Sequence, residues 1–230
     1  MFELTPLEVE ALGLSLKVAL WSMVASLPFG LAVAWLLARY EFFGKTLVNG
    51  IVHLPLVLPP VVVGYLLLLL LGRNGPLGAW LLTTFGITLP FTWEGAALAA
   101  AVMAFPLMVR AMRLSIEAVD QRLETAARTH GASRLGAFAT ITLPLILPGI
   151  LAGAVLAFAR SLGEFGATIT FVSNIPGETR TLPLALYSLI QTPGGEAGAL
   201  RLAVLSVLLS LAALAASEAI ARRLRARLNG

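Results

Sequence analysis

The sequence predicts an all-α integral membrane protein with about five transmembrane helices. Of its 230 residues 58% are apolar and only 12% charged, against roughly 45–50% and about 25% in soluble domains. That leaves too little polar side chain to cover a water-facing surface. The apolar residues also fall in long uncharged runs, and the charges between the runs segregate by sign and position as a bilayer demands.

A spanning helix needs roughly 20 mostly apolar residues, and uncharged stretches locate the spans. The first is expected over about 14–38, built on Val18–Ala38 and closed by Arg39. Its apolar run is too long for a signal-peptide core, so it is expected to be retained. The second, 46–72, lies between Lys45 and Arg73. Only fifteen uncharged residues separate Glu94 from Arg110, so the third, 92–112, recruits Phe91 and Trp93 as interfacial aromatics. The fourth, 143–165, starts near Leu143 and carries Arg160 and Glu164 in or near its far half. The fifth, 202–221, ends before Arg222, Arg223, Arg225 and Arg227. Asn74–Trp93 is also uncharged, but its three Gly, two Pro and four Thr point to an external loop with a short surface helix around Leu77–Phe85. The chain is thus expected to be one membrane-spanning domain, with a charged segment at about 113–140.

An outside N-terminus and five spans put Arg39, Lys45, Arg110, Arg113, Arg122, Arg128, Arg134 and the four C-terminal arginines on the cytoplasmic side, eleven of sixteen basic residues. Only Arg73, Arg180 and Arg201 fall outside. The net charge of +4 is therefore read as a topology marker and not as a nucleic-acid surface. Seven prolines, Pro28, Pro55, Pro59, Pro60, Pro106, Pro144 and Pro148, lie in these spans, and each frees a backbone carbonyl. Such breaks suit a pathway better than an anchor, although proline is also frequent in spanning helices. Gly149 and Gly153 form a GxxxG pair that lets two helices pack closely.

Much chemistry is excluded. There is no cysteine, hence no disulfide, thiol nucleophile or thiolate metal site. Gly44-Lys45-Thr46 has the ending of a phosphate-binding loop, but the glycine required five positions earlier is Arg39. His53 and His130, the only histidines, lack a ligand-spaced acidic cluster, so no metal site is expected. No energy source is visible, and a solute moved uphill would be powered by a partner.

From Leu123 the charged segment reads LETAARTHGASRLGAFATITLPL: a short helix, a glycine, and an apolar return. On composition alone it is an interfacial linker. Its spacing, however, places Ala126-Ala127, Gly131, Ile141 and Leu143-Pro144 in the pattern E-A-A-x3-G-x9-I-x-L-P, which resembles the EAA loop of ABC-importer membrane subunits, the element that docks on the ATPase. The family's Glu position is Thr125 here, with Glu124 one residue earlier. Further blocks, HLPLVLPPVVVGYLLL at 53–68, AFPLMVRAMR at 104–113 and FARSLGEFGATITFVSNIPGETRTLPLALYSLIQTPGGE at 158–196, resemble molybdate-importer permeases, with sulfate/thiosulfate permeases as cousins.

The resemblance implies a type I ABC importer permease fold in a bacterial or archaeal cytoplasmic membrane, with the C-terminus cytoplasmic. It implies a homodimer around one pathway, two cytoplasmic ABC ATPase subunits, and an external molybdate-binding protein. ATP and Mg would sit on the ATPase and no cofactor on this chain, which would be no enzyme. The expected substrate is molybdate or tungstate. The alternatives are a sulfate/thiosulfate permease, or an ATP-independent channel or carrier. Coupling is expected at Glu124, Thr125, Ala126, Ala127, Gly131, Ile141, Leu143 and Pro144. Arg160 and Glu164, four apart and near the membrane, are either a neutralising packing pair or part of the pathway, with Ser161 and Thr168 as hydroxyl donors. Arg160 is expected to be the one basic residue in the outer half of a span.

Overall fold

A computed structural model describes residues 4–228. Glu3 lies outside them, and the side chains of Arg223, Arg225 and Arg227 are likewise outside the described set. Every element named below is helical.

Helix α1 runs Pro6–Arg39, starting well before the expected 14. A capping box explains the early start: the Thr5 side chain accepts from the Glu8 amide and the Glu8 carboxylate from the Thr5 amide, satisfying donors that a helix start leaves open. Along one face of α1, Ala11, Ser15, Ala19, Ser22, Ser26, Gly30 and Ala34 are all buried, a ridge of small residues at helical spacing. Where the surroundings are hydrocarbon, transfer to the interior gains little, and close backbone approach with good van der Waals contact drives association. The ridge supplies that approach.

The expected second span is two helices, α2 at Lys45–Val57 and α3 at Pro60–Leu71, bent by 117°. Pro59 and Pro60 lack amide protons, so no straight helix can carry its ladder through them. A short α4, Pro76–Phe85, occupies the segment read as a loop with a surface helix, and it ends on Gly86 in the left-handed region at φ 69°. Helix α5, Trp93–Glu117, is capped by the Thr92 hydroxyl on the Gly95 amide and extends past the expected 112. Then come α6, Gln121–Thr129, and α7, Arg134–Ala137. A π-helical segment, Phe138–Thr142, leads from α7 into α8, Leu143–Leu162. The fourth span is therefore a continuous rod from 134 to 162 that stops short of the expected 165. After it come α9, Gly166–Val172, and α10, Leu182–Ile190, a short helix between the expected fourth and fifth spans. Last is α11, Glu196–Leu228, whose apolar part is Glu196–Ala216.

Helix α5 is the centre, packed between α1 and α8. Its Met108, Met112 and Ile116 are fully buried with Leu37 of α1 and Ile146 of α8. A second cluster joins α5 to α3 and α9 through Ala96, Ala100, Val63 and Phe171. Gly149 faces Ser115 so closely that an added Cβ would overlap its side chain, and at Gly153 the Cβ would stand 3.0 Å from the Met108 carbonyl. The GxxxG pair is thus the α5–α8 contact. Gly13, by contrast, has open space around it. Gly149→Ala is expected to cost about 1–3 kcal/mol through overpacking, read as a lower thermal midpoint of the detergent-purified chain, while Gly13→Ala leaves the midpoint unchanged or raised. Equal midpoints for both variants would refute the close α5–α8 contact.

Candidate coupling site and translocation residues

The expected coupling residues surround α6. Asp120 caps it, its carboxylate accepting from the Arg122 amide at 2.9 Å. At the other end the Ala132 amide reaches back to the Ala127 carbonyl across Gly131, which sits at φ 93°. This left-handed C-terminal turn satisfies carbonyls that would otherwise be open, and it lets the chain reverse into α7, where the Ser133 hydroxyl caps Gly136. No residue of α6 is buried. Thr125 and Ala126 are exposed and Ala127 half-buried, so the small-residue face is open for contact.

What holds α6 in place is one carboxylate. Glu124 Oε1 accepts from Arg39 Nη2 at 2.6 Å and from the Thr142 hydroxyl at 2.7 Å. Glu124, offset by one from the family's acidic position, thereby joins α6 to the end of α1 and to the π segment. Arg39 is nearly buried, its guanidinium 5.2 Å from the Trp35 ring centre, and Trp35 meets Phe138 edge-on at 5.3 Å. Ile141 lies in the π segment, and Leu143 and Pro144 open α8. Pro144 has no amide proton to give the preceding turn, and widening that turn to i→i+5 bonding relieves the conflict. The I-x-L-P part of the motif is thus the sequence of a π joint.

The second group lies at the other end of α8. That helix ends at Leu162, so Arg160 and Glu164 straddle its terminus instead of sharing a helical face. Arg160 Nη1 is 2.7 Å from Glu164 Oε2, a charge contact off the hydrogen-bond direction. The other oxygen, Oε1, accepts from the Ala167 amide at 2.8 Å and so starts α9. The Glu164 side chain is 1% exposed and that of Arg160 29%. Ser161 is turned the other way, sharing a 2.8 Å hydrogen bond with Ser22 of α1. Thr168 is buried and gives its hydroxyl proton to the Phe165 carbonyl. Ser161 thus links α8 to α1, while Thr168 bonds carbonyls at the start of its own helix. Helix α9 presses on the α2–α3 elbow: a Cβ on Gly166 would strike Pro60, and one on Gly64 would strike the Ala167 carbonyl.

Two features went unread in the sequence. Lys17 also lies in a span, correcting the expectation that Arg160 stands alone; its ammonium is 3.4 Å from the Trp93 ring centre, an attraction that needs no counter-ion. At the far end of α5, Arg110 and Arg113 line a polar cavity of about 320 Å³ with Asn49 and His53 of α2. Arg113 bonds Glu117 at 2.7 Å and Asn49 at 3.1 Å. The signal was there: Asn49 and His53 are four apart and Arg110 and Arg113 three apart, so each pair shares a helical face.

The family described as "binding-protein-dependent transport system inner membrane component" matches residues 26–226. The chain belongs to that family. It is 63% identical over 224 residues to the molybdenum transport system permease protein ModB of Escherichia coli K12, covering 97% of this chain and 98% of that one. Against ModB of Haemophilus influenzae it is 60% identical, covering 97% of each. The sulfate transport permease CysT of E. coli is 38% identical over 186 residues, 81% of this chain and 67% of that one. Among solved structures, a bacterial alginate ABC importer aligns with TM-score 0.75 at 18% identity, covering 96% of this chain and 80% of that one. An amino acid ABC transporter aligns with TM-score 0.65 at 20% identity, covering 95% and 94%. The fold of this family member is that of the type I importer permeases, in a multi-pass inner-membrane protein.

If the Glu124 carboxylate is what fixes α6, Glu124→Ala removes two charge-assisted bonds and strands Arg39, with an expected local cost of about 1–3 kcal/mol. Amide exchange across 121–132 should then speed by one order of magnitude or more while exchange in α5 stays unchanged. Unaltered exchange in α6 would show that other contacts hold it.

Proposed function

We propose that this chain is the membrane-spanning subunit of an ATP-driven molybdate importer, working as a homodimer with two cytoplasmic ABC ATPases and an external oxyanion-binding protein. It is a translocation component and not a catalyst, and ATP with Mg belongs to the partner. The observation that carries the transport reading is the elbow at Leu58–Pro60. Irregular backbone at membrane depth is tolerated only against protein or a water-filled cavity, yet Val57, Pro59 and Pro60 are exposed on the single chain. A second copy facing the elbow across an aqueous path supplies both kinds of cover. Identity of 63% and 60% to ModB proteins against 38% to a sulfate permease favours molybdate over sulfate.

In this reading the N-terminus is outside and the C-terminus and α6 are cytoplasmic. Motion of a docked ATPase enters at α6, passes through Glu124 and the π joint into α8, and leaves at Arg160–Glu164 through α9 to the elbow. Arg160 gives the passing dianion a positive potential. Glu164 weakens that potential enough for release, as conduction requires. Buffering of this kind needs no large movement of either side chain.

Three outcomes test the proposal. Single cysteines at Ser133 and Asn174 should react with impermeant thiol reagents from the cytoplasmic and external sides respectively; the reverse pattern overturns the orientation. Gly131→Val finds open space, so its cost is the left-handed backbone alone, about 1–3 kcal/mol. In the reconstituted complex it should abolish ATP-driven molybdate uptake, and Gly131→Asn, which tolerates that backbone, should restore most of it. Uptake at the normal rate in the valine variant removes this turn from coupling. Finally, Glu164→Gln keeps an oxygen for the Ala167 amide but removes the charge, so the fold should persist while molybdate is retained longer and turnover drops severalfold. Unchanged retention and turnover would reduce the pair to packing.

A further inference from the structure

A cavity of about 940 Å³ opens between the last turns of α1 and the α6–α7 segment. Pro28, Leu31, Trp35 and Leu36 form one wall and Leu135 and Phe138 another. Its polar lining comes from Tyr40, Glu124, Arg128 and Arg134. From Tyr40 to Pro28 is twelve residues, about 18 Å of helix. The hydrocarbon of one leaflet is about 15 Å deep, half of a roughly 30 Å core. The cavity therefore reaches from the level of the charged segment to a depth that only hydrocarbon occupies.

Its charge is not balanced from within. The Glu124 carboxylate is already taken by Arg39 and Thr142. Among the described residues no carboxylate or hydrogen-bond acceptor meets the guanidinium of Arg128 or of Arg134. Two free cations stand above an apolar slot one leaflet deep. A soluble partner could meet the arginines but would have no reason to extend a chain to Pro28, whereas a double-chained lipid has an anionic end and an apolar end at that separation. We propose that this cavity holds an anionic phospholipid, its headgroup on Arg128 and Arg134 and an acyl chain along Trp35. The lipid wedges the joint between α1 and α6, so membrane composition bears on how firmly α6 is held.

The test uses the full chain with Trp21, Trp80 and Trp93 replaced by Phe, leaving Trp35 as the only tryptophan of the four, reconstituted in phosphatidylcholine vesicles. Acyl-brominated phosphatidylglycerol at one-tenth of the lipid should quench Trp35 at least twofold more than brominated phosphatidylcholine at the same fraction. Arg128→Gln/Arg134→Gln should abolish that preference while phosphatidylcholine still quenches, which shows the slot intact. Arg122→Gln, an arginine of the same segment that does not line the cavity, should keep the preference. Equal quenching by the two lipids, a preference that survives the double substitution, or its equal loss in Arg122→Gln would overturn the proposal. So would absence of quenching by either lipid, because a second copy of the chain then fills the slot.

Discussion

Every polar group of the backbone that enters hydrocarbon must find its partner within the protein, because no water is there to take it. The fold is organised around the places where this chain breaks its own helices and must make good the loss. At Leu58–Pro60 the ladder stops and restarts, with the Leu58 amide on Leu54 and the Val62 amide on the Pro59 carbonyl. At Pro144 the helix continues, at the cost of a π turn over Phe138–Thr142. Between Leu162 and Gly166 it stops again, and the Glu164 carboxylate takes the Ala167 amide to begin α9. These are also the positions through which the proposed coupling and passage run. Stretches of regular helix between them serve as spacers that set the distances.

The buried charges fit the same plan. Arg39 with Glu124, Arg160 with Glu164, and Arg201 with Glu8 at 2.9 Å each have one nearly buried partner, and each ties two elements together: α1 to α6, α8 to α9, and α1 to α11. Stability alone explains such pairs poorly, since apolar residues of similar volume often do as well. A hydrogen-bonded charge pair, unlike an apolar contact, is directional, and parting it leaves a buried charge unpaired. It therefore fixes one geometry and resists intermediate ones. That property suits joints more than cores.

Periodicity and composition made the rods legible in the sequence, and motif spacing made the turn legible. Uncharged runs located α1, α5, α8 and α11 because a bilayer imposes a length, and the glycine between a short helix and an apolar return marked the reversal at Gly131, since a helix that must reverse ends most easily on glycine. The failures have a common cause in long-range pairing. Pro55, Pro59 and Pro60 announced a break, but its 117° depends on α9 wedging Gly166 against Pro60. The bond of Ser161 to Ser22 spans 139 residues and left no local signal. Thr142 carried no signal at all, since its role exists only once Glu124 is folded beside it. Helix α10 was hidden by its length of nine residues, too short for a span.

Where such a molecule can move follows from how each part is held. Helix α8 meets α5 through glycines with no room to slide, and α5 meets α1 along a ridge of small residues, so these three form one packed block. Helix α6 buries no residue and hangs on one carboxylate, one left-handed turn and one π joint. Moving it within its own plane costs a few polar bonds, which rotate before they break, whereas moving α5 against α8 costs close packing along the whole interface. A force applied at α6 should thus turn the π joint and carry α8 with its block as a rigid body. The displacement then emerges where the block ends, at Gly163–Phe165, against an elbow whose prolines have already given up the bonds that would resist bending.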